Sequence, residues 1–410
     1  MVVAMRKIAN HEVEGKTVLV RVDLNCPLED GKITSHIRID AHAVTIKNLS
    51  DRGAKVVVLS HQGRKGSDDF ISLEQHAKIL QEILNREVLF VNDVVGPLAT
   101  EAISKLTNGQ ILVLDNVRHL HCETDHPHAQ GEIVYHISPI ADYFVLDALS
   151  VAHRAHSSII GFKKKIPCFA GEVLAEELDA VDKVRKSDDV TFIFGGSKVK
   201  DSFKVMDKWL TDGRAKKILV GGALSVLLLR ANGSNIGGSR EYLKESGLDK
   251  YLPAAVEMVE KYDGKIHLPT DVGLSFKKEE HGRQAVFERV ESPVSKIETG
   301  QIWDIGENSI KEYCDAIGSS KCIVMNGPVG VYELDKFSKG TKTILNSIAK
   351  TTVFSLLGGG HTLAALEKFN VDKKQFGYVS LSGKALIAYL CGDELPGLVS
   401  LEENEKLFDM

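Results

Sequence analysis

Short β-branched runs alternate with longer amphipathic stretches from one end of the chain to the other. That alternation predicts βα units and a parallel sheet. In the first half, strands are expected at residues 17–22, 55–59, 88–91, 111–114 and 143–146, separated by helices over 39–52, 73–85 and 100–107. A second series of strands is expected at 190–194, 217–220, 265–268, 322–325, 352–356 and 377–380. The chain reads as α/β, in two doubly wound, Rossmann-like parallel-sheet halves. Between them the pattern is interrupted over 161–173 by Lys163-Lys164-Lys165 and the Ile166-Pro167 step, and an amphipathic helix over 172–185 follows. The expected organisation is a first domain over 1–165, a connecting helix or hinge over 166–187, a second domain over 188–390 and a terminal segment over 391–410. The charged stretch 273–298, irregular in period, reads as a surface insertion in the second half.

Length and composition agree with two domains and narrow the classes. The chain has 410 residues, 43% hydrophobic and 26% charged, which is ordinary globular composition. Its net charge of −5 advertises no polyanion-binding surface, so nucleic acid is not an expected partner. No apolar run approaches the roughly 18 residues needed to span a bilayer, and the opening segment lacks a secretory apolar stretch, so the expectation is a cytoplasmic protein with no membrane partner. Six cysteines without a C-x-x-C pair fit reduced thiols. Monomer and homodimer both stay open.

Ligands of open α/β sheets bind beyond the carboxyl ends of the strands, and there the first half carries unusual polar groups. Its strands run into Arg21-Val22-Asp23-Leu24-Asn25, Ser60-His61-Gln62-Gly63-Arg64 and Asp115-Asn116-Val117-Arg118, and into Asp147 followed by His153-Arg154-Ala155-His156; Arg38 opens the first long helix. Arginines delivered by separate strand ends to one crevice suit a small, multiply negative ligand, because guanidinium forks match phosphate and carboxylate. His119, His121, Cys122, His126 and His128 crowd one segment, but their spacing matches no structural zinc pattern and reads as a polar loop.

The second half ends its strands in glycine: Gly195-Gly196-Ser197-Lys198, Gly221-Gly222, Asn326-Gly327-Pro328-Val329-Gly330, Gly358-Gly359-Gly360-His361-Thr362 and Ser382-Gly383-Lys384. Glycine turns let backbone N–H groups approach phosphate beside a helix N-terminus. Neither a dinucleotide fingerprint nor a Walker motif is completed. A nucleotide site without a Walker motif, facing an anion site on another domain across a cleft, suits phosphoryl transfer, in which the protein chiefly positions two anions and neutralises developing charge.

These motifs, in this order and over essentially the whole length, resemble the phosphoglycerate kinase family, and the compact length resembles its archaeal branch. The resemblance implies reversible transfer of the acyl phosphate of 1,3-bisphosphoglycerate to Mg-ADP, giving 3-phosphoglycerate and ATP, with the domains closing over the substrates and the terminal segment returning to the first domain. It implies that Asp23, Leu24, Asn25, Arg38, His61, Gln62, Gly63, Arg64, Arg118 and Arg154 bind phosphoglycerate. Arg38 and Lys198 would act on the transferring group. Lys198, Gly221, Gly222, Gly359, Gly360, His361 and Thr362 would surround the nucleotide phosphates, Asn326 and Pro328 would lie along the nucleotide, and Glu333 would accept from the ribose. The substrate carboxylate is already ionised at pH 7, so no general base is required.

Two positions depart from that pattern. Where a second lysine is usual, four residues after Lys198, this chain has Ser202; Lys200 points to another helix face, and Lys384 is the candidate replacement. Where a magnesium-linked aspartate is usual, it has His361, a poor ligand for a hard cation, so the protein ligand for Mg²⁺ stays unknown. The competing reading is a catalytically weakened protein that still binds phosphoglycerate and nucleotide.

Overall fold

Two six-stranded parallel sheets organise the chain in a computed structural model that describes residues 5–125, 131–278 and 286–408. Residues 1–179 with 393–410 form one unit and residues 180–392 the other. The division falls inside the helix Glu172–Arg185.

The first unit contains β1 (Thr17–Arg21), β2 (Lys55–Leu59), β3 (Leu89–Val91), β4 (Ile111–Leu114), β5 (Tyr143–Leu146) and β6 (Cys168–Ala170), in the order β3-β4-β2-β1-β5-β6. The middle strands are apolar on both faces because helices cover both, and Val18, Val20, Val56, Val58, Val113 and Val145 share one core with Ile39, Ile46 and Leu80. The sixth strand lies in the stretch where the hydrophobic pattern breaks, and three residues are too few to show a period. The helix Pro396–Leu407 packs on this unit. Its buried Asn404 accepts from Arg6 Nη2 at 2.9 Å and from the Cys168 N–H at 2.7 Å, and donates to the carbonyls of Lys163 and Ile166.

The second unit contains β7 (Val190–Phe194), β8 (Ala215–Val220), β9 (Ile266–His267), β13 (Cys322–Asn326), β14 (Phe354–Gly358) and β15 (Tyr378–Val379), in the order β9-β8-β7-β13-β14-β15. Trp209 fills one side, edge-on to Phe192, with its indole N–H donating to the Leu390 carbonyl at 3.1 Å. Truncating an aromatic side chain buried this way costs about 3–5 kcal/mol.

Between β9 and β13 the chain forms a separate antiparallel sheet, β10 (Asp271–Lys278), β11 (Val286–Pro293) and β12 (Gln301–Ile305), ordered β11-β10-β12. Most of the described part of the stretch read as a surface insertion, 273–298, falls in this sheet. Five of the eight β10 residues are buried, whereas β11 alternates between half-buried and exposed positions, so the pair shows no common period. Asp271 fixes the sheet to the next helix, Glu307–Gly318, by accepting from the N–H groups of Asn308 and Ser309 at 2.9 and 2.8 Å.

Candidate active site

In the first unit the strand order reverses at β1, between β2 on one side and β5 on the other, and the loops leaving these strands meet at their carboxyl ends. Asp23 follows β1, and Arg38 lies in the first turn of the helix Ile37–Asp51. Arg38 donates to Asp23 Oδ2, which also accepts from Ser150 Oγ at 2.5 Å, while the Asn25 N–H donates to Oδ1 at 3.1 Å. Burial opposes ionisation of Asp23, but Arg38, His61 and these hydrogen bonds outweigh it and hold the carboxyl well below its usual range.

His61 stands between two guanidinium groups. Arg21 Nη2 lies 3.2 Å from its Nδ1 and Arg154 Nη1 lies 3.4 Å from its Nε2. Burial, reinforced by Arg21, drives the imidazole pKa well below its ordinary value, so the ring is neutral at pH 7. Arginine can only donate, so the closer contact assigns the lone pair to Nδ1 and the proton to Nε2. Two donors, His61 Nε2–H and Arg154 Nη1, then face one another, an arrangement that an anionic oxygen would satisfy. Burial and the neighbouring Arg154 and Arg21 lower the Arg118 pKa to about 10, and burial also lowers that of Arg154. Both stay charged at neutral pH, and this excess positive potential attracts an anion. Arg118 donates to the Gly63 carbonyl, and Asn25 Oδ1 accepts from the Gly63 N–H at 2.8 Å. Gly63 adopts φ +64°, and a Cβ there would lie 2.3 Å from the Asp69 carbonyl oxygen, so only glycine fits. Arg64 is exposed at the edge of the group.

Two of the expected binding residues are turned inward. Gln62 is wholly buried; its Oε1 accepts from the Cys26 N–H and His76 Nε2, and its Nε2 donates to the carbonyls of Cys26 and Asp69. Leu24 is likewise buried, and its N–H donates to Ser60 Oγ at 2.9 Å. Both shape the loops. Glu123 is an addition, reached through Arg21 at the end of β1: Arg21 Nε donates to Ser158 Oγ at 2.9 Å, and that hydroxyl donates to the buried Glu123 carboxylate at 2.6 Å. Asp147 serves packing, meeting His42 at 3.0 Å and accepting from the Val173 N–H.

In the second unit the glycine loops after β7, β8 and β13 interlock backbone to backbone. The N–H groups of Gly195, Gly196, Gly221 and Gly222 donate to the carbonyls of Asn326, Pro328, Phe194 and Val329 at 3.1, 2.9, 2.8 and 2.7 Å. These amides are spent within the protein. Gly221 and Gly222, expected around the nucleotide phosphates, thus have their own N–H groups engaged here, and the physical reason for glycine in these loops is close approach: a Cβ at Gly195 would sit 1.9 Å from the Pro328 oxygen. Thr362 is also committed inward, its hydroxyl accepting from the Gly327 N–H at 2.9 Å. Gly359 and Gly360 open the helix Gly360–Lys368 beside Asn326. Lys198 precedes the helix Val199–Thr211, and its Nζ lies 3.7 Å from the position a Cβ would take at Gly383, next to Lys384. Ser202 donates its hydroxyl back to the Lys198 carbonyl at 3.3 Å.

A pocket of about 370 Å³ opens beside these loops. Gly222, Pro328, Glu333 and His361 line it, as do Ser239, Tyr242, Gln301, Ile302 and Trp303, which the sequence reading did not select. Those five come from the segment around the helix Ser239–Glu245 and from β12, and no strand end of the parallel sheet points to them. Glu333 and His361 approach to 4.0 Å. Asn326 and Lys198 border the glycine loops without lining this cavity.

A family model described as phosphoglycerate kinase matches residues 8–393. The chain belongs to the phosphoglycerate kinase family. It is thereby a kinase. It is 37% identical over 407 residues to the phosphoglycerate kinase of Methanothermus fervidus, covering 97% of each chain, and 37% identical to that of Saccharolobus solfataricus, covering 95% of each. Among solved structures, the phosphoglycerate kinase of Pyrococcus horikoshii superposes with a TM-score of 0.90 at 32% identity, over 98% of this chain and all of that one. Against this family background, His361 remains a feature of this chain without a clustered metal site: among the described residues no group of three or more His, Cys, Asp or Glu is placed to hold a metal ion. His119 lies 3.4 Å from Asp115 and edge-on to Phe70, whereas His126 and His128 fall outside the described residues. No described helix is long and apolar enough to cross a membrane.

Proposed function

We propose that the protein transfers the acyl phosphate of 1,3-bisphosphoglycerate to Mg-ADP, reversibly, giving 3-phosphoglycerate and ATP. The observation that carries this reading is the His61 environment, where neutral Nε2–H and charged Arg154 face each other among Arg38, Arg64 and Arg118. Such a donor set suits a ligand bearing phosphate and carboxylate oxygens. In this reading Arg38, Asn25, His61, Arg64, Arg118 and Arg154 hold the phosphoglycerate, Asp23 aligns Arg38, and Gly63 shapes the loop.

The nucleotide base and ribose take the pocket beside Trp303, Pro328 and Glu333. Its phosphates extend toward Asn326, Gly359, Gly360 and Lys198. Magnesium, when bound with the nucleotide, would neutralise phosphate charge; among the described residues no group of three or more His, Cys, Asp or Glu is placed to hold it, so nucleotide phosphates, water or a single carboxylate would be its ligands. Transfer requires Arg38 to stabilise the moving phosphoryl group while the ionised substrate carboxylate attacks, with no proton to remove. The enzyme is placed in the cytoplasm.

Coupled measurement of ATP- and Mg²⁺-dependent phosphorylation of 3-phosphoglycerate tests the reading. Robust wild-type turnover that falls by at least about a hundredfold in Arg38→Ala is expected. Equal background rates in the two proteins would refute it.

A further inference from the structure

A buried carboxylate stands behind the arginine group, in a place that no strand end predicts. Glu123, in the short helix Cys122–Asp125, is 1% exposed, and Ser158, which it meets, has no exposure. Both carboxylate oxygens are engaged: Oε1 accepts from Ser158 Oγ at 2.6 Å and Oε2 from the Ser158 N–H at 2.9 Å, while His156 Nδ1 stands 3.6 Å from Oε1. An ionised carboxylate only accepts, so the Ser158 proton points to Glu123 and a lone pair is left for Arg21 Nε, 2.9 Å away. Arg21 in turn holds three partners at once: Ser158 through Nε, the Val22 carbonyl through Nη1, and His61 Nδ1 through Nη2 at 3.2 Å. The chain Glu123–Ser158–Arg21–His61 therefore has one polarity from end to end. It leaves the imidazole proton on Nε2, the atom that faces Arg154.

Burial disfavours the charged forms of Arg21, Arg118 and Arg154, and Glu123 is a carboxylate whose attraction opposes it at all three. Resting on the phosphoglycerate assignment above, we propose that Glu123 is a positioning residue for that substrate: through Ser158 it holds Arg21 against His61 Nδ1, and so keeps His61 Nε2–H as the donor the substrate meets. Without the carboxylate the Ser158 hydroxyl is free to turn and the Arg21 fork loses a buried counter-charge. Both neutral tautomers of His61 then become accessible, and one of them turns a lone pair toward a substrate oxygen. Charge alone predicts the reverse, because deleting a negative group from a cationic site tightens the binding of an anion. The direction of the change in affinity thus separates positioning from bulk charge.

The test uses the full-length chain and the phosphorylation of 3-phosphoglycerate by MgATP, with each substrate varied in turn. Glu123→Gln keeps the size of the side chain and removes its charge; it should raise the KM for 3-phosphoglycerate about tenfold and leave the KM for MgATP within about twofold. Ser158→Ala, which removes one hydroxyl from the chain of contacts, should raise the 3-phosphoglycerate KM about threefold. In His61→Gln there is no imidazole to orient, so adding Glu123→Gln should raise that KM by no more than about twofold further. KM does not depend on the fraction of protein that is folded, so partial unfolding does not mimic these changes. A 3-phosphoglycerate KM that falls or stays level in Glu123→Gln, a rise shared equally by MgATP, or a rise as large in the His61→Gln background as in the wild type overturns the proposal while leaving the kinase reading intact. Should Glu123→Gln fail to fold, an unmoved KM in Ser158→Ala overturns it. Absence of wild-type turnover overturns both readings.

Discussion

Arg289 Nη1 donates to Asp304 Oδ2 at 2.7 Å, and the carboxylate it meets has no solvent exposure at all. The same carboxylate accepts from the N–H groups of Ile305 and Gly340 at 3.0 Å each. A Cβ at Gly330 or Gly340 would lie 2.3 Å from Asp304 Oδ1. The ion pair joins β11 to β12, and the Gly340 N–H ties the same carboxylate to the helix Lys339–Ala349; the neighbouring Trp303, whose carbonyl accepts from the Val331 N–H, lines the pocket, so the pair clamps one wall of it.

Removing one partner of a buried pair leaves the other uncompensated and costs about 3–5 kcal/mol. Arg289→Met should therefore lower stability by that order and raise the nucleotide KM while leaving the phosphoglycerate KM near its wild-type value. Chemical denaturation and two-substrate kinetics read both effects; equal increases in the two KM values would contradict the clamp. Burial outweighs the attraction of Arg289 and raises the Asp304 pKa to about 6, while Arg289 itself is held charged. A carboxyl whose folded pKa exceeds its unfolded value binds more protons when folded, so its contribution to stability increases as pH falls from about 6 to about 4. The nucleotide KM should nonetheless rise over that interval as the clamp loses its charge, and Asp304→Asn should remove this step from the pH profile.

His76 imposes the opposite pH dependence. It is wholly buried against Gln62 Oε1 at 3.1 Å, and burial lowers its pKa to about 4. The unfolded chain then takes up this proton first, so stability present above pH 6.5 is lost as pH falls toward 4, by up to about 3 kcal/mol. Urea unfolding at pH 7 and pH 4.5 should show this loss in the wild type and a smaller one in His76→Gln. Equal losses would remove His76 as the source.

Lys198 Nζ lies 3.7 Å from the position a Cβ would take at Gly383, next to Lys384, and Ser202 directs its hydroxyl into its own helix. Lys384→Ala should lower turnover about tenfold at saturating substrates. Turnover unchanged under those conditions would show that Lys384 does not supply the charge missing at position 202.

Much of the fold is legible in the sequence because the middle strands of both parallel sheets are short, mostly apolar runs buried at every position, as in Val190–Phe194 and Ile111–Leu114. The cationic group was legible for a related reason: strands of a parallel sheet deliver their following residues to one side, so Asp23, His61, Arg118 and Arg154 needed no tertiary information beyond strand ends. The antiparallel sheet was not legible, because β10 and β11 bury different numbers of faces, and with it went Gln301, Ile302 and Trp303. Hydrogen-bond commitments were equally invisible. Gln62 and Gly221 sit at strand ends like their neighbours, and only the partners they meet show that one side chain and one amide are already spent.

The helix Pro396–Leu407 closes against strands and loops near the beginning of the chain, with Asn404 joining Arg6 and Cys168 and Gly397 set against Ala152. During synthesis the unit begun first is thus completed last, whereas residues 180–392 leave the ribosome as one uninterrupted run. A chain cut short by its final helix would carry an intact second unit and a first unit open along the surface that Leu398 and Leu401 cover.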